Sequence, residues 1–300
     1  MARSLTDDQT LEATPTTVPG TWRLLLRNRT ATTAGLMVLS CIIIATFAPV
    51  LAPHEPAEQH PGTIRLPPFW ALGGSFQFPL GTDALGRDLL SRIMYGARVS
   101  ILLGLVVVAL TLVIGTGLGM LAGYYGGWFD AVMSRVVDTL LAFPFLIFAL
   151  AIMAATGPNL VTLIVALAFK GWVDFFRVAR GDVMAARESE YVLAARGLGT
   201  SNAYIIFGEI LPNIVPPLIV LATLRTATII ISEASLSFLG IGVPPSIPAW
   251  GTMIADGRGD IASAWWIATF PGLAILLLVL SVNLFGEGLR DALDPRMRRR

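Results

Sequence analysis

Apolar residues along the chain gather into six long runs, parted by polar, charged or proline-rich stretches. A helix that crosses a bilayer needs about 20 mostly apolar residues. Six segments meet that length: Ala31–Leu51, Val99–Ala122, Val136–Ala155, Leu160–Val178, Ile214–Phe238 and Trp265–Phe285. The first holds 21 residues without a charge, too long for the apolar core of a cleaved signal peptide. Two connections are long. Pro53–Tyr95 is proline-rich and reads as an ordered external loop ending in a short interfacial helix. Gly181–Pro212 shows helical patterning, with Val183, Tyr191, Val192, Leu193, Leu198 and Ile205 set among charged residues. The chain thus divides into a polar N-terminal segment, 1–29; a first span with its external loop, 30–98; a core of spans, 99–288, enclosing the loop 181–212; and a basic tail, 289–300. The expected fold class is an all-α membrane protein with six transmembrane helices.

Composition agrees. Hydrophobic residues make up 55% and charged residues 14%, with a mean hydropathy of +0.72. Ordinary globular chains carry about 25% charge, so this one cannot coat a water-facing surface. A net charge of +1 gives no electrostatic basis for binding nucleic acid. Cys41 is alone and can form no internal disulfide. Lys170 is the single lysine and is followed by Gly171. A phosphate-binding loop needs lysine followed by serine or threonine after a glycine-rich turn, so any nucleotide must be held by another subunit. Arginines set the orientation. Arg23, Arg27 and Arg29 precede the first span, and Arg180, Arg187, Arg196, Arg296 and Arg298–Arg300 fall on the same side of a six-span topology. The positive-inside rule places that side, with both termini, in the cytoplasm. Arg87, Arg92 and Arg98 lie on the outer side, where Asp83 and Asp88 are interleaved and neutralise them locally.

The segment Glu190–Gly199 is the most informative. Ala194, Ala195 and Gly199 are small and close together, a pattern that lets another backbone approach. Gly199 suits the position that ends a helix, and Pro212 the first turn of the next. This describes either a docking helix for a partner or a surface amphipathic helix punctuated by glycine. Arg225 and Glu233 lie in the fifth span, eight residues or about 12 Å apart along the axis. Such charges face protein or water, as a polar translocation path or as an ion pair. Lys170 and Asp174, four apart in the fourth span, read as an internal ion pair. The glycines at 115, 117, 119, 123, 126 and 127 read as close helix packing. Trp128, Trp172, Trp250, Trp265 and Trp266 read as interfacial anchors.

Catalytic and metal chemistry find little support. His54-Glu55 and His60 lack the helical His-Glu-x-x-His spacing, and they read as loop histidines with no shared role. Gly257-Arg-Gly-Asp260 spells a motif of intramembrane aspartyl proteases, whose chemistry needs two carboxylates sharing a proton. Asp260 falls in a polar external stretch instead.

Leu193-Ala194-Ala195, then Gly199 and Leu211-Pro212, resembles the EAA loop of ATP-binding-cassette (ABC) importer permeases. Pro79–Asp88, Glu233–Pro245 with Trp250-Gly251, and Leu289–Pro295 narrow the resemblance to the second, C-type, permease of the dipeptide/oligopeptide/nickel group. It runs from Trp22 to the C-terminus. Leu193 replaces the glutamate of the triplet, with Glu190 the nearby acid. Glu209 stands where relatives often carry histidine, and Glu287 where they often carry aspartate. The resemblance implies a type I ABC importer permease fold and a non-catalytic subunit forming half of a peptide pore in a bacterial cytoplasmic (inner) membrane. Its implied partners are a second homologous permease, two cytoplasmic subunits that bind ATP and Mg, an external solute-binding protein and the lipid bilayer. The chain itself would hold no cofactor. Glu190, Ala194, Ala195 and Gly199 are the implied ATPase-docking residues. Dipeptide, longer peptide, glutathione and nickel all remain open as cargo. The rival readings are an ion-gradient-driven secondary transporter and an intramembrane aspartyl protease.

Overall fold

The computed structural model describes residues 25–157 and 159–293, and among these residues it contains helices and turns but no strand. We number the helices α1 Arg29–Leu51, α2 Leu89–Tyr125, α3 Gly127–Ala142, α4 Phe145–Thr156, α5 Leu160–Arg187, α6 Glu190–Gly197, α7 Asn202–Phe238, α8 Trp250–Gly257 and α9 Trp266–Leu293. Segments 1–24 and 294–300, with most of the N-terminal segment and the arginine cluster of the tail, lie outside the described residues.

Local chemistry sets the ends. Asn28 Oδ1 accepts from the backbone of Thr30 and Ala31, which opens α1. Asp88 accepts from Ser91 N at 2.9 Å and opens α2. Its 37 residues take in the last part of the external loop, so the short interfacial helix expected there is the first two turns of α2. Gly126 (φ 65°) ends α2, and the chain turns directly into α3. Among the described residues four helices, α1, α2, α7 and α9, are long and apolar enough to cross a membrane. The run Val136–Ala155 is split between α3 and α4, bent by 88° at Phe143-Pro144. Proline disfavours the helical conformation of the residue before it, and Phe143 is accordingly extended. α5 has 28 residues, but charges at Lys170, Asp174, Arg177, Arg180 and Asp182 dilute its apolar character. This arrangement is compatible with six spans.

The closest pairing is between α2 and α5. Gly115, Gly119 and Gly123 lie four apart on one face of α2. A Cβ added at Gly119 would meet Phe176 O at 2.6 Å and one at Gly123 would meet Arg180 O at 2.7 Å; one at Gly115 would collide with Trp172 O. The two backbones therefore touch along this seam, as the glycine pattern predicts. Gly117, on another face, has open space. α7 and α8 pack on the same bundle, α9 packs on α7 and α8, and α1 lies outermost against α2 and α9.

At one end of the bundle the segment 53–88 forms a cap. Gly81 and Gly86 hold positive φ, and a side chain at either would strike the backbone of Leu66 or His60. Trp266 Nε1 donates to Thr82 O at 3.2 Å, and Trp250 Nε1 donates to Ile93 O at 3.0 Å. Both tryptophans are buried, which corrects their reading as interfacial anchors: each uses its indole N–H to satisfy a backbone carbonyl inside the protein. Trp128 and Trp265 are exposed, and Trp172 is half-buried against Phe176.

Candidate functional site

α6 sits at the end opposite the cap. Its base is fixed by Val192, fully buried, while Glu190, Tyr191, Leu193, Ala194 and Arg196 are exposed. Ala195 is half-buried and packs toward the core. Leu198 N donates to Ala194 O and Thr200 N to Ala195 O across Gly199, whose φ is 76°. Gly199 therefore ends the helix in the left-handed conformation that favours glycine. The next helix begins earlier than the proline suggests. Ser201 Oγ accepts from Tyr204 N and opens α7 at Asn202. Residues Ile205–Ile210 form a π turn, and Leu211 N bonds Ile206 O. The wider turn accommodates Pro212 inside a continuous helix, since proline cannot donate in the α register.

Tyr124, which sequence reasoning passed over, ties this end together. Its hydroxyl donates to Asn202 Oδ1 at 2.8 Å, its carbonyl accepts from Arg187 Nη1 at 3.2 Å, and Arg196 lies over its ring at 5.0 Å. Its place one residue past Gly123, on the buried side of α2, is the signal that marks it. Asp130 of α3 accepts from Arg180 of α5 beside it.

A second cluster lies inside the bundle. Arg225 Nη2 of α7 meets Asp174 Oδ1 of α5 at 2.9 Å, each side chain about one-third exposed. Lys170 Nζ donates instead to Phe143 O at 2.7 Å. The expected Lys170–Asp174 pair is thus not formed. The break at Phe143-Pro144 leaves that carbonyl without a helical partner, and the ammonium takes it, as a cation does at a helix C-terminus. Asp174 is left for Arg225. Lys170, Asp174, Arg225, Thr228 and Ser232 border a cavity of about 200 Å³. A larger one, about 620 Å³, lies further along α7, about a quarter turn around it, and is lined by Asn213, Pro216, Pro217, Leu224 and Arg290. Between Asn213 and Ser232 α7 therefore borders two cavities in succession, over about 28 Å of its length.

Glu233 does not join this cluster. It is buried and accepts from Ser237 Oγ at 2.7 Å and Ser100 Oγ at 3.2 Å, while Ser237 Oγ also accepts from Val243 N. Its two serines lock the turn after α7 onto α2. The cap carries its own ion network: Arg87 reaches Asp83 at 2.6 Å and Asp256 at 3.6 Å, and Arg92 reaches Asp83 at 3.6 Å. Asp83 thus neutralises Arg87 and Arg92 as expected, with Asp256 added from α8. Asp88 does not take part: it caps α2 through Ser91 and faces His54, and Arg98 makes no ion pair among the described residues. Burial pushes the Asp256 carboxyl up, while Arg92 and Arg87 pull it down. Asp260 pairs with Arg65 at 3.1 Å on the cap, not with a second intramembrane carboxylate. His54 and His60 pack together, ring centres 5.3 Å apart, against Phe78. Among the described residues no group of three His, Cys, Asp or Glu is placed to hold a metal.

Comparison with known proteins places these features. A family model described as the binding-protein-dependent transport system inner membrane component matches residues 115–299. A model of the N-terminal TM domain of oligopeptide transport permease C matches residues 20–68. The chain is 44% identical over 277 residues to the di/tripeptide transport system permease protein DppC of Pseudomonas aeruginosa, covering 92% of this chain and 91% of that one. It is 42% identical to the glutathione transport system permease protein GsiD of Pectobacterium atrosepticum, covering 92% and 90%. A solved structure of the MetNI methionine ABC transporter in an inward-facing conformation is similar in fold, with TM-score 0.54 and 19% identity over 69% of this chain and 96% of that one.

Proposed function

Because the chain belongs to the family of binding-protein-dependent transport system inner membrane components, we propose that it is the C-type permease of a peptide importer and forms half of the translocation pore. The observation that carries this reading is the length of α7 from Asn213 to Ser232, bordered by two successive cavities and set with the Arg225–Asp174 pair. A second, homologous permease supplies the missing wall. The polar cluster suits a peptide, which carries an ammonium and a carboxylate, better than it suits a purely apolar solute. The names of the most similar relatives point to the same cargo class. The chain lies in a bacterial inner membrane with both termini cytoplasmic, in keeping with its arginine distribution.

Energy enters through α6. Glu190, Ala194 and Gly199 are exposed for contact with a cytoplasmic ATPase, with Ala195 at the base of the same helix. Exposed Tyr191, Leu193, Leu198 and Phe207 give that contact an apolar area. Two ATPase subunits carry the ATP and Mg, and an external binding protein delivers cargo. A ligand-driven closure of the ATPases shifts the permease between its two packings by the difference in affinity for each. The test is uptake into liposomes by the purified complex. Dipeptide should accumulate only when ATP reaches the ATPase side. Accumulation by this chain alone under a proton or sodium gradient would overturn the reading in favour of a secondary transporter.

A further inference from the structure

Between Arg65 and Asp83 the chain runs through seventeen residues, Leu66–Thr82, without a formal charge. In the middle Gly74 N donates to Ala71 O, Gly73 holds φ 88°, and the tight turn throws its side chains outward. Leu72 is 101% exposed, Phe76 82% and Trp70 54%. Phe69 stacks on Phe76 at 4.9 Å and meets the edge of Trp70 at 5.0 Å. The base of this hairpin is firmly held: Phe69 N donates to Pro79 O, Leu66 N donates to Thr82 Oγ1, and Arg65 pairs with Asp260. An apolar tip on a rigid base does not collapse to hide itself, and exposed patches of this kind mark contact surfaces.

The tip also has a direction. Trp70 meets Phe270 of α9 edge-on at 6.0 Å, and Trp265 lies 5.7 Å from the same ring. Phe270 is one turn along α9 from Trp266, about 6 Å further into the span. The hairpin therefore folds back along the flank of the bundle. Beyond Phe270 the exposed residues Leu273, Leu276, Leu277 and Leu280 continue as one stripe of α9. The neighbouring helix, α1, is the least buried of the four long apolar helices. The flank on which the hairpin rests is thus the lipid-facing side.

We infer that the Phe69–Phe76 hairpin inserts into the boundary between headgroups and acyl chains of the adjoining leaflet, and anchors the 53–88 cap to phospholipid. Aromatic rings with one polar edge settle at that depth, and the absence of charge over seventeen residues removes the cost of entering it. The inference requires only that the chain is a membrane component, and it is independent of cargo and of the ATPases.

The experiment uses the full chain, purified with its bound subunits and reconstituted in nanodiscs. Leu72→Cys in a Cys41→Ser background carries an environment-sensitive fluorophore, and Glu58→Cys on the same cap is the aqueous reference. Leu72 touches nothing it must pack against, so the variant leaves the fold intact. The Leu72 label should emit to the blue of the Glu58 label and resist iodide. Lipids brominated near the carbonyl end of the acyl chain should quench it more than lipids brominated near the terminal methyl. Emission and iodide quenching equal to those of the Glu58 label would overturn the inference. A blue shift that arises only when an external binding protein is added would overturn it too, by assigning the tip to a protein contact.

Discussion

Arg225 sits where a lone charge is costly, and its position is stabilised by a carboxylate on another helix and by an opening to water. Removing either partner strands the other, whereas removing both does not. Arg225→Ala and Asp174→Asn should each lower the thermal midpoint of the reconstituted protein, and the double variant should fall no further than the worse single one. The coupling expected is about 0.5–3 kcal/mol, the range for side chains in direct contact. Strictly additive losses would mean that the two residues act separately. Sequence spacing identified all three charges of this region but paired Lys170 with Asp174, which the fold does not. Lys170 and Asp174 are neighbours on one helix, and nothing in a single segment announces that Phe143 O and Arg225 arrive from elsewhere to claim them.

Among the elements, the seam of α2 and α5 depends on the absence of side chains at three positions. Gly119→Leu must drive a branched side chain against Phe176 O, a backbone atom that cannot rotate away. Overpacking of this kind costs about 1–3 kcal/mol or more. The variant should give a markedly lower yield of folded protein on size exclusion, while Gly117→Leu, facing open space, should match the parent. Equal yields would mean that the helices separate freely at the seam. This element was legible because a glycine every fourth residue is visible in one dimension. The break between α3 and α4 was less so: the hydropathy of Val136–Ala155 is continuous, and only Phe143-Pro144 marks a bend. The early start of α7 was hidden for a related reason. Pro212 looks like a helix opening, and the π turn that tolerates it inside a helix has no periodicity of its own.

On the scale of the whole molecule, the end bearing α6 exposes Tyr191, Leu193, Leu198 and Phe207, the surface proposed above for the ATPase, and the opposite end is closed by the cap. Gly199 has open space around it, so a bulky side chain there disturbs only whatever docks, apart from the strain of its positive φ. Gly199→Trp should therefore reach the membrane in normal amount but lose co-purification of the ATPase and ATP-driven uptake. Gly199→Asn, which tolerates the left-handed conformation, should retain both. Loss of membrane protein in the tryptophan variant would point to folding, and unchanged uptake would exclude the docking role. The long apolar helices, the small-residue helix and the pairing of Arg87 and Arg92 with Asp83 were legible from local pattern. The cap was not, because Thr82, Trp266, Arg65 and Asp260 meet only after the chain has crossed the bundle and returned.

The glycine seam has a mechanical corollary. Only Glu188 and Ser189 separate α5 from α6, and Ser189 is bonded back to Ala186. α5 is in turn fused, backbone to backbone, to a rod of 37 residues, about 55 Å long, whose far tip at Asp88 is embedded in the cap. On the docking role proposed for α6, a push received there would meet no slack joint and would travel the length of α2 as the tilt of a single strut.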